Sequence, residues 1–142
     1  ALHGLVAGRP RVDLALEARV GRLCRHLVRE GLLRSAHDCS EGGLAVALAE
    51  CAIAGGLGFR GEVEAHGRWD AALFGEAGAR ILVSLPQEAL PALERLARSE
   101  EVPWARLGKV ESRRLLIPGL IDLGLEQVTD AWSRGLERAL AG

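Results

Sequence analysis

Residues 35 to 48 read Ser-Ala-His-Asp-Cys-Ser-Glu-Gly-Gly-Leu-Ala-Val-Ala-Leu, and no other stretch sets acid, hydroxyl and paired glycines together at the mouth of a helix. Asp38 and Ser40 are two apart, so in extended backbone they point to one side while His37 and Cys39 point to the other. Gly42 and Gly43 then present backbone N–H groups with no side chain over them, at the positive end of the helix that Leu44 opens. Such a turn suits a metal-bound phosphate: N–H groups for the oxygens, the carboxylate for a cation, the hydroxyl for either. The same residues also read as helix punctuation. Asp38 with Glu41 is a capping box and Ser40 is an equally good N-cap, so cradle and cap both stay open. His37 and Cys39, a base and a nucleophile by type, read as packed or hydrogen-bonded strand residues facing away from Asp38.

Composition narrows the classes available. A chain of 142 residues with 49% apolar residues predicts one globular domain with a real core. The net charge of −1 and scattered basic residues exclude a nucleic-acid stripe or a polybasic membrane patch; Arg113-Arg114 is the only adjacent basic pair and reads as a solvated hairpin tip. The apolar run from Leu44 to Ala54 is broken by Glu50 and too short to cross a bilayer. Cys24, Cys39 and Cys51 are odd in number and lack a Cys-x-x-Cys pair, which argues against disulfides and zinc and for reduced thiols in a cytoplasmic protein. His3, His26 and His66 have no ligand spacing and read as surface residues. The absence of an initiating Met reads as excision from something longer.

The elements that must position the turn follow from periodicity. Residues 1–10 hold Gly4, Gly8 and Pro10 and read as an opening loop. Leu16, Val20, Leu23, Leu27 and Val28 predict an amphipathic helix from Val12 to near Gly31. Leu32 to His37 is extended, and Leu44 to Ala54 is a helix apolar on nearly every side, hence buried. Gly58 to Val63 predicts a strand, Trp69 to Leu73 a short helix, residues 79–85 the clearest strand, and Glu88 to Arg98 a helix with Leu90, Leu93, Leu96 and Ala97 on one face. Extended segments at Ala105–Val110 and Leu115–Pro118 precede a closing helix, Leu125 to Leu140, whose Val128, Trp132, Leu136 and Leu140 share a face, with Trp132 read as core; Trp69 and Trp104 fit core or surface equally. The class is α/β (α+β), a mixed β-sheet layered with α-helices in a single domain over 1–142.

At His37-Asp38-Cys39-Ser40-Glu41-Gly42-Gly43-Leu44-Ala45-Val46-Ala47-Leu48-Ala49-Glu50 the chain resembles the large synthetase subunit of phosphoribosylformylglycinamidine synthase, whose pattern is His-Asp-x-Ser-Asp-Gly-Gly-Leu-Ala-x-x-Leu-Ala-Glu. Leu2-His3-Gly4 with Pro10 and Val12-Asp13-Leu14, Leu73-Phe74-Gly75-Glu76 with Arg80, and Ala131-Trp132 resemble further family segments in the same order. The resemblance covers nearly the whole chain, as the C-terminal domain of the second half of a much longer subunit built from aminoimidazole ribonucleotide synthetase-like units. It implies a role in de novo purine biosynthesis: formylglycinamide ribonucleotide is converted to the amidine with ATP, magnesium and ammonia from glutamine. The implied partners are the remaining domains of the subunit, a glutaminase subunit and a small bridging subunit. Carried over by position, Asp38 is implied as a Mg2+ ligand, Ser40, Gly42 and Gly43 as contacts to ATP or a structural ADP, and Glu76 as a substrate-side candidate; no residue here is implied as catalytic. Ala77 and Gly78 stand where the family has Ser and Gln, so the hydroxyl and amide after Glu76 are missing. The fragment is expected to be inactive alone. A non-catalytic packing or nucleotide-holding module, or a domain of a relative such as thiamine monophosphate kinase or selenophosphate synthetase, stands as the alternative.

Overall fold

A buried helix that is apolar on all sides must be surrounded, and the computed structural model shows what surrounds it; it describes residues 12–64, 67–111 and 113–141. The opening loop expected at residues 1–10 therefore lies outside the described residues. Helix α1, Leu14–Arg29, starts where the Asp13 carboxylate accepts the Leu16 N–H at 2.9 Å. Strand β1, Ser35–Asp38, leads through the turn into α2, Gly43–Gly55, which stops at Gly56 with φ +64°. Strand β2 is Phe59–Gly61 and α3 is Trp69–Phe74.

Strand β3, Ile81–Ser84, begins later than the alternation predicts because Ala79 holds φ +57°. A 3-10 turn, Gln87–Ala89, precedes α4, Leu90–Ser99: Pro91 has no N–H and fits only the first turn of an α-helix. Of the extended segment expected at 105–110, Gly108–Val110 pairs as β4, followed by β5, Arg114–Ile117. A further strand, β6, Ile121–Gly124, was not expected from alternation. It returns antiparallel from β5 through a turn with Pro118 second and Gly119, φ +76°, third, closed by Leu120 N–H on the Ile117 carbonyl at 3.0 Å. Helix α5 is Leu125–Ala141.

The strands form two sheets. β1 and β3 pair antiparallel with Asp38 opposite Ile81, and a mixed sheet runs β4-β2-β5-β6, with β2 and β5 parallel and the other pairs antiparallel. One core gathers Leu44, Ala47, Leu48 and Ala52 of α2 against Leu73 of α3, Phe59 and Leu115 of the mixed sheet, and Leu125 and Val128 of α5. A second core joins Leu23 and Leu27 of α1 to Leu93 and Ala97 of α4, with Leu90 and Leu96 packed on it as their spacing predicts. No helix among the described residues is long and apolar enough to cross a membrane.

Two face assignments are corrected. Val28 is 57% exposed because Leu27, one position earlier, takes the inward direction. On α5 only the first turn reaches the core: Trp132 is 64% exposed and Leu136 and Leu140 more so, because the helix runs past the body that buries Val128. Trp69 and Trp104 are also exposed. Leu73→Ala in this chain, which empties a site only 1% exposed, lowers stability by about 2–5 kcal/mol. Trp132→Ala stays within about 0.5 kcal/mol. Urea midpoints check both.

Candidate functional site

Asp38 is the last residue of β1 and points to solvent. The facing Ser40 hydroxyl holds its carboxyl below the usual carboxylate range; its own backbone N–H and nearby His37 act in the same direction, against slight desolvation. Asp38 and Ser40 thus share a face, as their spacing predicts. Cys39, between them, is buried, and its N–H donates to the Arg80 carbonyl at 3.0 Å, extending the β1–β3 pairing by one residue. Burial pushes its thiol up, with Arg80 opposing, so Cys39 is packing and not a thiolate.

His37 is hydrogen-bonded, as expected, but does not face away from Asp38. Its Nδ1 lies 2.7 Å from the Asp38 carbonyl oxygen and 3.8 Å from Oδ1, and its Nε2 lies 3.3 Å from Glu50 Oε2 on α2. These contacts tie the ring between β1 and α2.

The glycine pair does something the sequence reading missed. Gly42 is the N-cap of α2 at φ +72°, and no side chain caps the helix from that position; the Asp38–Glu41 capping box and the Ser40 cap do not form. Asp38 is still paired in the strand and cannot swing to the helix start. The cap comes instead from a residue 34 positions on: Gly42 N–H donates to Glu76 Oε1 at 3.1 Å. A carboxylate at that end of the helix complements its dipole. Gly43 N–H reaches the Ser40 carbonyl at 3.4 Å. Neither N–H stands open, therefore, and the acceptor on Gly42 is an anionic oxygen of the kind a phosphate also offers.

Gly43 has a separate steric duty. It lies at φ +68°, and a Cβ there would come within 2.8 Å of the Leu73 carbonyl oxygen and of Phe74 backbone carbon. Only glycine lets the end of α3 come this close to the start of α2. The turn after α3 is held by Gly75 N–H on the Ala71 carbonyl at 3.0 Å and by the Arg80 guanidinium, which donates to the Gly75 carbonyl. Glu76, Ala77 and Gly78 are exposed beyond it. A Cβ at Gly78 would meet Glu17 of α1 at 2.3 Å, so α1 backs the same turn.

The structure thus brings Asp38, Ser40, Gly42, Gly43 and Glu76 to one end of α2. Glu76 joins by tertiary contact that no local signal carried; Arg80, its anchor, was legible only as part of the Phe-Gly-Glu segment. Asp38, Ser40 and Glu76 are exposed, Gly42 is half-buried and Gly43 is buried behind them; an open groove of about 850 Å3, lined by Arg60, Glu62, Gln87, Arg106 and Lys109 among others, contains none of the five. Among the described residues no three His, Cys, Asp or Glu side chains gather as a metal site. Asp38, ionised and exposed, suits a hard cation, but the described residues alone do not complete a shell. The three thiols are free, His26 is exposed, and Arg114 pairs with Asp122 across the β5–β6 hairpin; His3 and His66 lie outside the described residues.

A family model for the AIR synthase related protein, C-terminal domain, matches residues 2–118. The phosphoribosylformylglycinamidine synthase subunit PurL of Thermomicrobium roseum is 43% identical over 139 residues, 94% of this chain and 19% of that protein. Of solved structures, Thermotoga maritima PurL complexed with ATP has a TM-score of 0.70 at 20% identity, over 82% of this chain and 22% of that one. PurLQS from the same organism gives 0.66 at 20% identity, over 82% and 22%. The shared fold includes the C-terminal domain architecture described above, and the chain spans about a fifth of the length of the curated relative it matches.

Two outcomes test this geometry. Ser40→Ala removes the main cause of the depressed Asp38 pKa, so Asp38 titrates at higher pH in an NMR titration. In the unsubstituted chain, a folded pKa below the unfolded one gives stability that is present above the unfolded value and lost as pH falls through the folded one. Gly43→Ala forces a Cβ against backbone at positive φ and costs about 1–3 kcal/mol in a denaturant titration.

Proposed function

The chain belongs to the AIR synthase related protein, C-terminal domain family, and from that membership we propose that it serves as this domain within a phosphoribosylformylglycinamidine synthase subunit. Similarity along 94% of the chain to a protein of that name supports the reading, together with Asp38 and Ser40 standing exposed beside an anion-directed helix start. The reaction turns the amide of formylglycinamide ribonucleotide into an amidine. Its amide oxygen takes the terminal phosphoryl of ATP, ammonia attacks the carbon, and inorganic phosphate leaves with the former amide oxygen.

In this account the turn is one wall of a magnesium–nucleotide site. The nucleotide is ATP or a retained ADP, and a bound Mg2+ supplies neutralisation of phosphate charge. Asp38 holds the cation through an exposed carboxyl that is held below the usual carboxylate range and is ionised at neutral pH. Ser40 turns its one hydroxyl proton from Asp38 to a phosphate oxygen once the cation takes the Asp38 carboxylate. Gly42 and Gly43 contribute the positive end of α2 at the nucleotide's phosphates, and Glu76, fixed through Oε1, leaves Oε2 for substrate or cation. Carboxylates from other domains complete the shell. The glutaminase subunit delivers ammonia within a full assembly that also holds the small bridging subunit and works in the cytoplasm.

A second reading has its own support. Glu76 on Gly42 and the backbone packed on Gly43 make the turn a junction of α2 and α3, which a purely structural module would also need. The two separate on Asp38→Ala in the intact enzyme. The site reading expects magnesium-dependent nucleotide binding at least about tenfold weaker by calorimetry, with an unchanged melting temperature. Unchanged binding supports the junction, in which Asp38 takes no part. The isolated chain, given formylglycinamide ribonucleotide, ATP and ammonia, forms no amidine; measurable product contradicts the one-wall account.

A further inference from the structure

Helix α5 carries one apolar stripe, and the described residues cover only its beginning. Leu125 and Val128 are buried in the core around α2. Trp132, Leu136 and Leu140 continue the same side at four-residue steps and are 64%, 73% and 79% exposed. The opposite side is a charged ladder in which Asp130 pairs with both Arg134 and Arg138. Charged side chains are thus gathered on one face and apolar ones on the other, over two turns whose apolar side chains the described residues leave mostly exposed.

A row of small residues runs beside the stripe: Ala131, Gly135 and Ala139. A Cβ at Gly135 would meet nothing within 4 Å, and glycine inside a helix is unfavourable relative to alanine, so no described residue accounts for it. Small residues in one i, i+4 row and large ones in the next make a groove beside a ridge, the relief on which a second helix packs at close approach. The occupant is not a second copy on grounds of area. Three side chains of at most about 150–250 Å2 each fall short of the roughly 800 Å2 per partner that a stable free interface buries. A tethered partner needs less, because linkage supplies an effective concentration on the order of millimolar. The family match ends at residue 118, before α5, whereas the PurL relative matches 94% of this chain and extends far beyond it.

We propose that the Trp132–Leu136–Leu140 face of α5 packs against an apolar helix of the same polypeptide outside these 142 residues, with Gly135 at the closest approach. The proposal rests on the reading of the chain as part of a longer synthase subunit. The test uses that intact subunit, with hydrogen exchange across 131–141, thermal melting and light scattering for wild type, Gly135→Leu and Leu136→Glu. The expected result is slow exchange in the wild type, speeded at least about tenfold by either substitution, with lower melting temperatures and unchanged mass. Gly135→Leu raising the melting temperature, as a better helix former does on a solvated helix, overturns it. Free exchange of 131–141 in the wild type, or a dimer that Leu136→Glu splits, overturns it as well. Amidine formation by the same preparation separates the two ideas: turnover with an unprotected helix sinks the docking alone, and a protected helix without turnover sinks the functional reading alone.

Discussion

The close approach of α3 to the start of α2 is the constraint on which the rest of the site depends. Gly43 has no Cβ, so the backbone of Leu73 to Gly75 can lie against it, and that contact delivers Glu76 to the Gly42 N–H. Any larger residue at position 43 would push the turn away and leave the helix start without its cap. The Arg80 guanidinium on the Gly75 carbonyl and α1 behind Gly78 hold the same turn from the other side. A helix with no acidic residue in its first turn therefore gains its carboxylate from a distant one.

This geometry joins packing to chemistry. Leu73, the most deeply buried large side chain, anchors α3 in the α2 core, and three residues later the chain emerges as an exposed carboxylate. On the facing strand, buried Cys39 alternates with exposed Asp38 and Ser40, so one strand both seals the core and presents the acid and hydroxyl. Such a wall is rigid where it meets the core and open where a ligand would arrive.

Much of the fold was legible in the sequence. Three- and four-residue spacing in α1 and α4, and the apolar run of α2 interrupted only by Glu50, marked helices because burial forces a stripe or a nearly full coat of apolar residues. Asp38 and Ser40 on one face followed from strand alternation. What escaped was non-local. A capping box within 38–41 was the economical local reading, yet the cap came from Glu76, and nothing in the residues around 42 announces a partner so distant. The extended segment was read only as far as Pro118, and the few residues between it and the closing helix carried too little alternation to show β6. On α5 the stripe was read correctly and its burial was not, because periodicity tells which side seeks cover and not what covers it.

The central claim is that residues 38 to 43, braced by Glu76, form one wall of a cation–nucleotide site in the longer subunit. Paramagnetic relaxation by Mn2+ in place of Mg2+ addresses it directly, read on amide resonances of the intact subunit with ADP present. The account predicts strong, nucleotide-dependent broadening at Asp38, Cys39, Ser40 and Gly42, with α4 and the β5–β6 hairpin unaffected. Sharp resonances across 38–43 while bound Mn2+ broadens another region would contradict it.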